Sequence, residues 1–180
     1  QRIEFKSWLT ALRPGAMLTV TTAQKSYPLL FLHTKSGNNP LGLGLRDDML
    51  ARACEFRKTL DKAAGGPGKA NYLFMGDLNT MGLDYPYDRD IPADIEIKKL
   101  ERDAGKVRMR RLQKSSQNSW FNGSKSKYPA SPLDHVVAAE HLAFKKFGQA
   151  EVTLKGWPEL TGAARDRWIK DYSDPAQLNF

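Results

Sequence analysis

The sequence holds a single cysteine, Cys54, so no intramolecular disulfide can close and no cysteine pair is available for a metal. No apolar run approaches the roughly 18 to 20 residues that cross a bilayer as a helix. The first residues show no basic segment followed by an apolar one, the pattern of a secretory leader. Nor is any internal repeat visible. These absences point to a soluble chain held together by packing, with a cytoplasmic setting favoured by the unpaired thiol. The chain opens on Gln1 rather than Met, which leaves room for a preceding segment.

What is present is a chain of 180 residues, 41% hydrophobic and 27% charged, a size that suits one domain with a substantial core. Its formal charge of +8 is unevenly placed. Between Lys98 and Lys127 ten basic residues stand against two acidic ones, Glu101 and Asp103, so this segment accounts for the whole excess. A local positive potential attracts polyanions without specifying which. A solvated helical face followed by a loop explains the pattern equally well.

Hydrophobic periodicity predicts an α/β layer architecture. A strand over Ala16–Thr22, a turn at Ser26–Pro28 and a buried strand over Leu29–His33 form a hairpin. The polar, glycine-rich stretch Thr34–Gly44 reads as a loop. Leu45, Met49, Ala53, Phe56 and Leu60 then follow steps of four and three, the mark of an amphipathic helix, which Gly65–Gly68 ends. Asn71–Met75 is a further strand, and Asp94 is placed to cap a helix with Ile97, Leu100 and Ala104 inward. Gly105–Tyr128 reads as a long loop with an aromatic patch at Trp120 and Phe121. Leu133–Ala138 and Ala150–Leu154 are strand candidates. Thr161 is placed to cap a helix carrying Ala164, Trp168 and Tyr172, and Ala176–Phe180 reads as a terminal strand.

Four signals share one kind of position, polar or titratable residues just past the end of an apolar strand. They are His33 in Leu32-His33-Thr34-Lys35-Ser36-Gly37, Asp77 and Asn79 in Gly76-Asp77-Leu78-Asn79, Asp134 in Leu133-Asp134-His135, and Asp174 in Tyr172-Ser173-Asp174-Pro175. In α/β sheets, ligands bind where loops leave the carboxyl ends of strands. The residue types suit phosphoester hydrolysis: a carboxylate orients or deprotonates water, an amide holds it in line, a histidine steadies the phosphoryl oxygens, and further carboxylates hold a hard cation. Each also has a bland reading, such as the Asp and Asn of Gly76–Asn79 bonding their own turn.

Taken in order, these segments resemble the endonuclease/exonuclease/phosphatase superfamily, which includes deoxyribonuclease-I-like nucleases, abasic-site endonucleases, sphingomyelinases and inositol polyphosphate phosphatases. The resemblance rests on His33–Gly37 against a His-Leu-Lys-Ser-Gly strand end, the Arg46–Arg57 helix, Gly76–Asn79 against Gly-Asp-Phe/Leu-Asn, Leu133–Val137 against an Asp-His/Tyr-hydrophobic strand, and Ser173-Asp174 against a terminal Ser-Asp-His. It implies a single α/β domain over residues 1–180, a mixed-sheet sandwich of the deoxyribonuclease-I-like type that lacks the N-terminal part of the family fold and is open to self-association through the face so uncovered.

The resemblance also implies roles. His33 would contact the scissile phosphate, Asp77 would orient the attacking water, and Asn79 would position water and phosphate. Asp134 would orient a final histidine. Asp174 and Asp77 would be the ligands of Mg²⁺ or Mn²⁺. Lys35 and Asn38 in the loop after His33, with Arg108, Arg110, Arg111 and Trp120 in the basic segment, are the candidate contacts to a phosphoester substrate, nucleic acid among them. Two departures stand out. The final histidine is replaced by Pro175, and the family's first-strand Asn and metal-binding Glu have no counterpart before Arg2. A metal-dependent phosphodiesterase or nuclease is the leading expectation. A catalytically impaired binding module, and a phosphomonoesterase or lipid phosphodiesterase, are the alternatives.

Overall fold

A computed structural model of the chain describes residues 2–3 and 12–173. Among them six strands form one mixed sheet: β1 (Arg2–Ile3), β2 (Gly15–Thr21), β3 (Ser26–His33), β4 (Leu73–Asp77), β5 (Met109–Arg111) and β6 (Asp134–Ala139), in the order β1-β2-β3-β4-β6-β5. Only β3 and β4 run parallel, joined by the helix α1 (Pro40–Ala63). Two further helices are α2 (Ala93–Gly105) and α3 (Gly162–Ser173). None of the described helices is long and apolar enough to cross a membrane.

The hairpin β2–β3 turns at Thr22–Lys25, where Thr22 N donates to Lys25 O (2.8 Å), rather than at Ser26–Pro28 as predicted. Pro28 pairs with Thr19 but precedes Leu29, where the β4 ladder begins, so its missing N–H leaves no gap on that side. The helix α1 starts at Pro40, inside the stretch read as a loop. Asn39 Oδ1 accepts from Gly42 N (2.7 Å), and Pro40 supplies the preset φ of a first helical residue. The buried stripe of α1 also differs from the apolar one predicted. It includes Met49 and Ala53 but also Arg46, Arg57 and Asp61, while Leu45, Phe56 and Leu60 pack at its margin.

Asp94 does not cap α2, whose N-cap is Pro92; it lies in the first turn, exposed, and pairs with Lys98 (2.8 Å). Ile97, Leu100 and Ala104 face inward as expected. The segment read as a loop from Gly105 contains the end of α2 and the strand β5, and the Ala150–Leu154 strand is reduced to isolated bridges, Lys114 to Val152 and Phe147 to Ala150. In α3, Ala164 and Tyr172 are exposed. Trp168 is its anchor, packed so closely on Gly156 that a Cβ there would lie 2.5 Å from the indole. Ala176–Phe180 lies outside the described residues.

The two faces of the sheet differ. Leu30, Leu32, Phe74 and Val137 form the main core with Met49, Leu50 and Ala53 of α1 and Leu100 and Ala104 of α2. On the other face Leu29, Leu73, Met75, Val136 and Ala138 are covered over β4 and β6 by Leu142, Phe144 and Val152. Over β2 and β3 that face lies open: Leu18, Val20 and Phe31 are 53%, 43% and 40% exposed.

Arg46 joins the layers. It is fully buried, and its Nε and Nη2 pair with the two carboxylate oxygens of Glu96 on α2 (2.8 and 3.0 Å). Removing one partner of a buried pair strands the other charge, at a cost of about 3–5 kcal/mol. Glu96→Ala is therefore expected to lose about that much stability in urea unfolding, while Asp94→Ala, which breaks an exposed pair, leaves the midpoint unchanged. Equal losses for the two variants would refute the role given to Arg46.

Candidate active site at the carboxyl end of the sheet

Strand register assembles the site. His33 is the partner of Asp77 in the parallel β3–β4 ladder, and Asp77 is the partner of Asp134 in the antiparallel β4–β6 ladder. Partners share a face, with Cβ atoms about 5 Å apart, so three residues distant in sequence form one row across three strands. His33 Nε2 lies 3.6 Å from Asp77 Oδ2. The row ends the open apolar face, so its side chains are reachable: His33 is 65% and Asp77 38% exposed at the side chain.

Gly76 makes the row possible. Its φ is +136°, and a Cβ there would lie 2.1 Å from the Leu32 carbonyl oxygen, so no other residue brings β4 this close to β3. The chain then turns at Asn79, in the left-handed region at φ 49°, which asparagine tolerates better than most residues. The Asn79 backbone N–H donates to Asp77 Oδ1 (3.1 Å) and to Leu133 O (3.1 Å). Its side chain, only 3% exposed, donates to Thr34 O (3.3 Å). Asn79 thus acts first as a strut that aims Asp77 and ties the turn to the loop after His33.

Burial and the charge of Asp134 raise the Asp77 carboxyl above the usual carboxylate range, against the opposing pull of the Asn79 backbone N–H and of His33. A carboxylate raised in this way accepts a proton more readily than an ordinary one. The flanking loops are pinned by Arg46, whose Nη1 donates to Lys35 O (3.2 Å) and to Gly37 O, and whose Nη2 donates to Gly82 O (2.9 Å). Arg13 Nη1 adds a bond to Thr34 O (3.0 Å).

The remaining candidates are placed less uniformly. Asn38 lies in the loop after His33, where its side chain is bonded to Asp84; Lys35 contributes its carbonyl to Arg46 and its side chain to a small cavity with Leu12, Arg13, Leu45 and Met49. Arg110 is held by both oxygens of Glu151 (2.7 Å each) and Arg111 by Glu101 (2.6 and 2.8 Å). Arg108 packs beside Gly68, beyond the end of β4 opposite Asp77. Trp120 bridges to Ser131 in a loop tied to the Asp134 backbone N through Ser119 Oγ (2.8 Å). Asp174 and Pro175 lie outside the described residues.

The two other histidines do not join the row. His135 points to the opposite face, 2% exposed, with Nε2 2.8 Å from both Thr80 Oγ1 and Pro132 O. Burial, with Lys114 and Arg111 nearby, pushes it down to about 3, so it is neutral. His141 lies at the other end of β4, bonded to Asn71 (3.0 Å). Sequence reasoning missed Lys114, whose Nζ donates to Asp134 O (2.7 Å). It was one of ten basic residues in its segment, with nothing local to single it out.

Among the described residues no group of three or more His, Cys, Asp or Glu side chains is placed to hold a metal ion. Asp77 and Asp134 by themselves fall short of the six or so oxygens that a hard cation takes. The described residues therefore do not make a complete Mg²⁺ or Mn²⁺ site. The chemistry they do support is activation of water by Asp77 beside a histidine.

Converting Asp134 to Asn removes the charge that helps hold Asp77 up. The Asp77 carboxyl, followed by ¹³C NMR through a pH titration, is expected to move down toward the usual carboxylate value. An unchanged titration would show that burial alone sets it.

No protein-family model and no curated protein matches the chain. Among solved structures, a beta hairpin deletion mutant of beta toxin from Staphylococcus aureus aligns at TM-score 0.50 and 14% identity, over 82% of this chain and 48% of that one. Sphingomyelinase C from Streptomyces griseocarneus aligns at TM-score 0.49 and 13% identity, over 73% and 44%. The chain thus spans about half the length of the structures it matches. At these identities the likeness is one of fold, and the cytoplasmic setting expected from the lone thiol gains no support from it.

Proposed function

We propose that this chain, which has the deoxyribonuclease-I-like fold of the endonuclease/exonuclease/phosphatase superfamily over part of its extent, is a phosphodiester hydrolase that works by attack of an activated water on phosphorus. The partial coverage fits a C-terminal portion of that fold. The observation that carries the proposal is the row His33–Asp77–Asp134, set by strand register at the sheet end where α/β proteins bind ligands.

The reading assigns the following steps. Asp77, ionised, takes a proton from water as the water oxygen bonds to phosphorus. His33, reachable from solvent and beside Asp77, donates to a phosphoryl oxygen. The ester P–O bond breaks and the alcohol leaves with a proton from solvent. Burial and the charge of Asp134 keep the Asp77 carboxyl high, and Asn79 fixes its direction. Because Asp77 must be ionised, the rate is expected to rise with pH through a value above the usual carboxylate range, the direction in which Asp77 is shifted.

Divalent metal dependence belongs to the same proposal, with Mg²⁺ or Mn²⁺ as the ions and Asp77 and Asp174 as the ligands supplied by this chain. Further ligands would have to come from outside the described residues, so no step is routed through the ion. A small phosphodiester fits better than a long nucleic acid backbone, since Arg110 and Arg111 are each already held by a carboxylate.

A catalytically impaired binding module is the second reading, favoured by the position of the remaining histidines. With Pro175 standing where the resemblance expects a histidine, neither His135 nor His141 is placed to substitute for it.

Hydrolysis of bis(p-nitrophenyl) phosphate with Mg²⁺ or Mn²⁺ separates the two. Asp77→Ala is expected to cut the parent rate by about 10²-fold or more, the scale of a positioned general base. Activity that Asp77→Ala leaves intact would refute the role of Asp77. Activity that appears only in Pro175→His would establish the impaired module instead.

A further inference from the structure

We propose that Lys114 is the phosphate-contacting cation of this site, presenting its ammonium from the rim of a neighbouring cavity to the phosphoryl oxygens held over Asp77. The inference rests on the phosphodiester reading and adds to it the group that offsets two adjacent carboxylates. An anion approaching Asp77 and Asp134 meets two negative charges, and His33 at one end of the row is the histidine beside them. Lys114 stands next to Asp134, its Nζ donating to the backbone oxygen of that residue at 2.7 Å, so a cation lies one residue from the acidic end of the row.

Three observations single out Lys114 from the other cations of its segment. Among the described residues no carboxylate forms an ion pair with it, whereas Arg110 is held by Glu151 and Arg111 by Glu101. Its bond to Asp134 O uses one of three ammonium hydrogens, leaving two for an anion. It also lines a cavity of about 520 Å³ with Arg110, Arg111, Gln113, Gln117 and Glu151, room enough for a phosphate and part of an ester group.

The charged groups around it make an anion welcome. Arg111 of β5 and Asp134 and the neutral His135 of β6 are close enough for their charges to couple to it, and Arg110 and Glu151 line the same cavity. Burial, with the charge of Arg111, pushes Lys114 down to about 8 in spite of Asp134. An ammonium in that state regains stability when an oxyanion comes within hydrogen-bond reach. The sign follows directly: anion binding requires the protonated form, so affinity falls as pH rises through about 8.

The test uses the full chain and inorganic phosphate as the probe. Lys114→Met is expected to weaken phosphate binding at pH 7 by about tenfold or more, while Lys114→Arg holds it within about threefold and moves the alkaline loss of binding upward. In the unmodified protein, phosphate is expected to protect Lys114 from acetylation, read by mass spectrometry, which needs no variant to fold. Unchanged affinity in Lys114→Met, or acetylation of Lys114 at the same rate with and without phosphate, overturns the proposal. Failure of the hydrolase reading looks different. A parent that binds phosphate through Lys114 yet hydrolyses nothing keeps the contact and loses the catalysis. Hydrolysis that needs Asp77 but is indifferent to Lys114 does the reverse.

Discussion

The arrangement depends on one buried guanidinium. Arg46 directs all five of its N–H donors to partners: two to the Glu96 carboxylate, and three to the carbonyls of Lys35, Gly37 and Gly82. Glu96 in turn accepts from Gly82 N (2.9 Å). One side chain of α1 therefore fixes the loop after β3, the loop after β4 and the first turns of α2 together. A buried ion pair gains little stability over a well-packed apolar substitute. What apolar side chains lack is the directionality to hold two loops by their carbonyls, and those loops leave the strand ends where His33 and Asp77 stand.

With the loops held, the sheet acts as the ruler. Side chains alternate faces along a strand, so a slip of one residue in β4 would carry Asp77 to the helical face and Gly76 into the row. Gly76 guards against this, because only glycine fits against the Leu32 carbonyl at its φ. The same register that places Asp77 beside His33 places it beside Asp134, and the two neighbours pull in opposite directions on its proton. Under the proposed function, two carboxylates side by side need a nearby cation before an anionic ester can approach. Lys114, anchored to the backbone of Asp134, is placed to serve as one.

The site also lies at the end of a face that the described residues cover only in part. Leu142, Phe144 and Val152 shield β4 and β6, and Leu18, Val20 and Phe31 beside them stay open to solvent. An apolar stretch of that kind bordering a polar row is where a further protein surface would contribute both packing and, at its edge, ligands. The chain spans about half the length of the solved structures it matches.

Much of this was legible in the order of residues. The Gly-Asp-Leu-Asn turn, the His-Thr-Lys-Ser-Gly strand end and the Leu-Asp-His strand pointed to the fold, and His33, Asp77 and Asp134 were named as candidates because each interrupts or follows an apolar run. Element type was recovered for the β2–β3 hairpin, α1, β4, α2, β6 and α3. The misses share a cause: β5 has three residues and a charge-rich sequence, and the start of α1 lies under a polar stretch whose Asn39-Pro40 cap is visible only once weighed as one. What the sequence by itself determined is the type and order of most elements and which residues are candidates for the site, since motif and periodicity are local properties. The tertiary structure alone decided where each charge is placed. Arg46 and Lys114 look alike in sequence to the other basic residues; strand register and hydrogen-bond partners, which join residues far apart in the chain, made one a buried clamp and left the other beside the carboxylates without an ion-pair partner among the described residues.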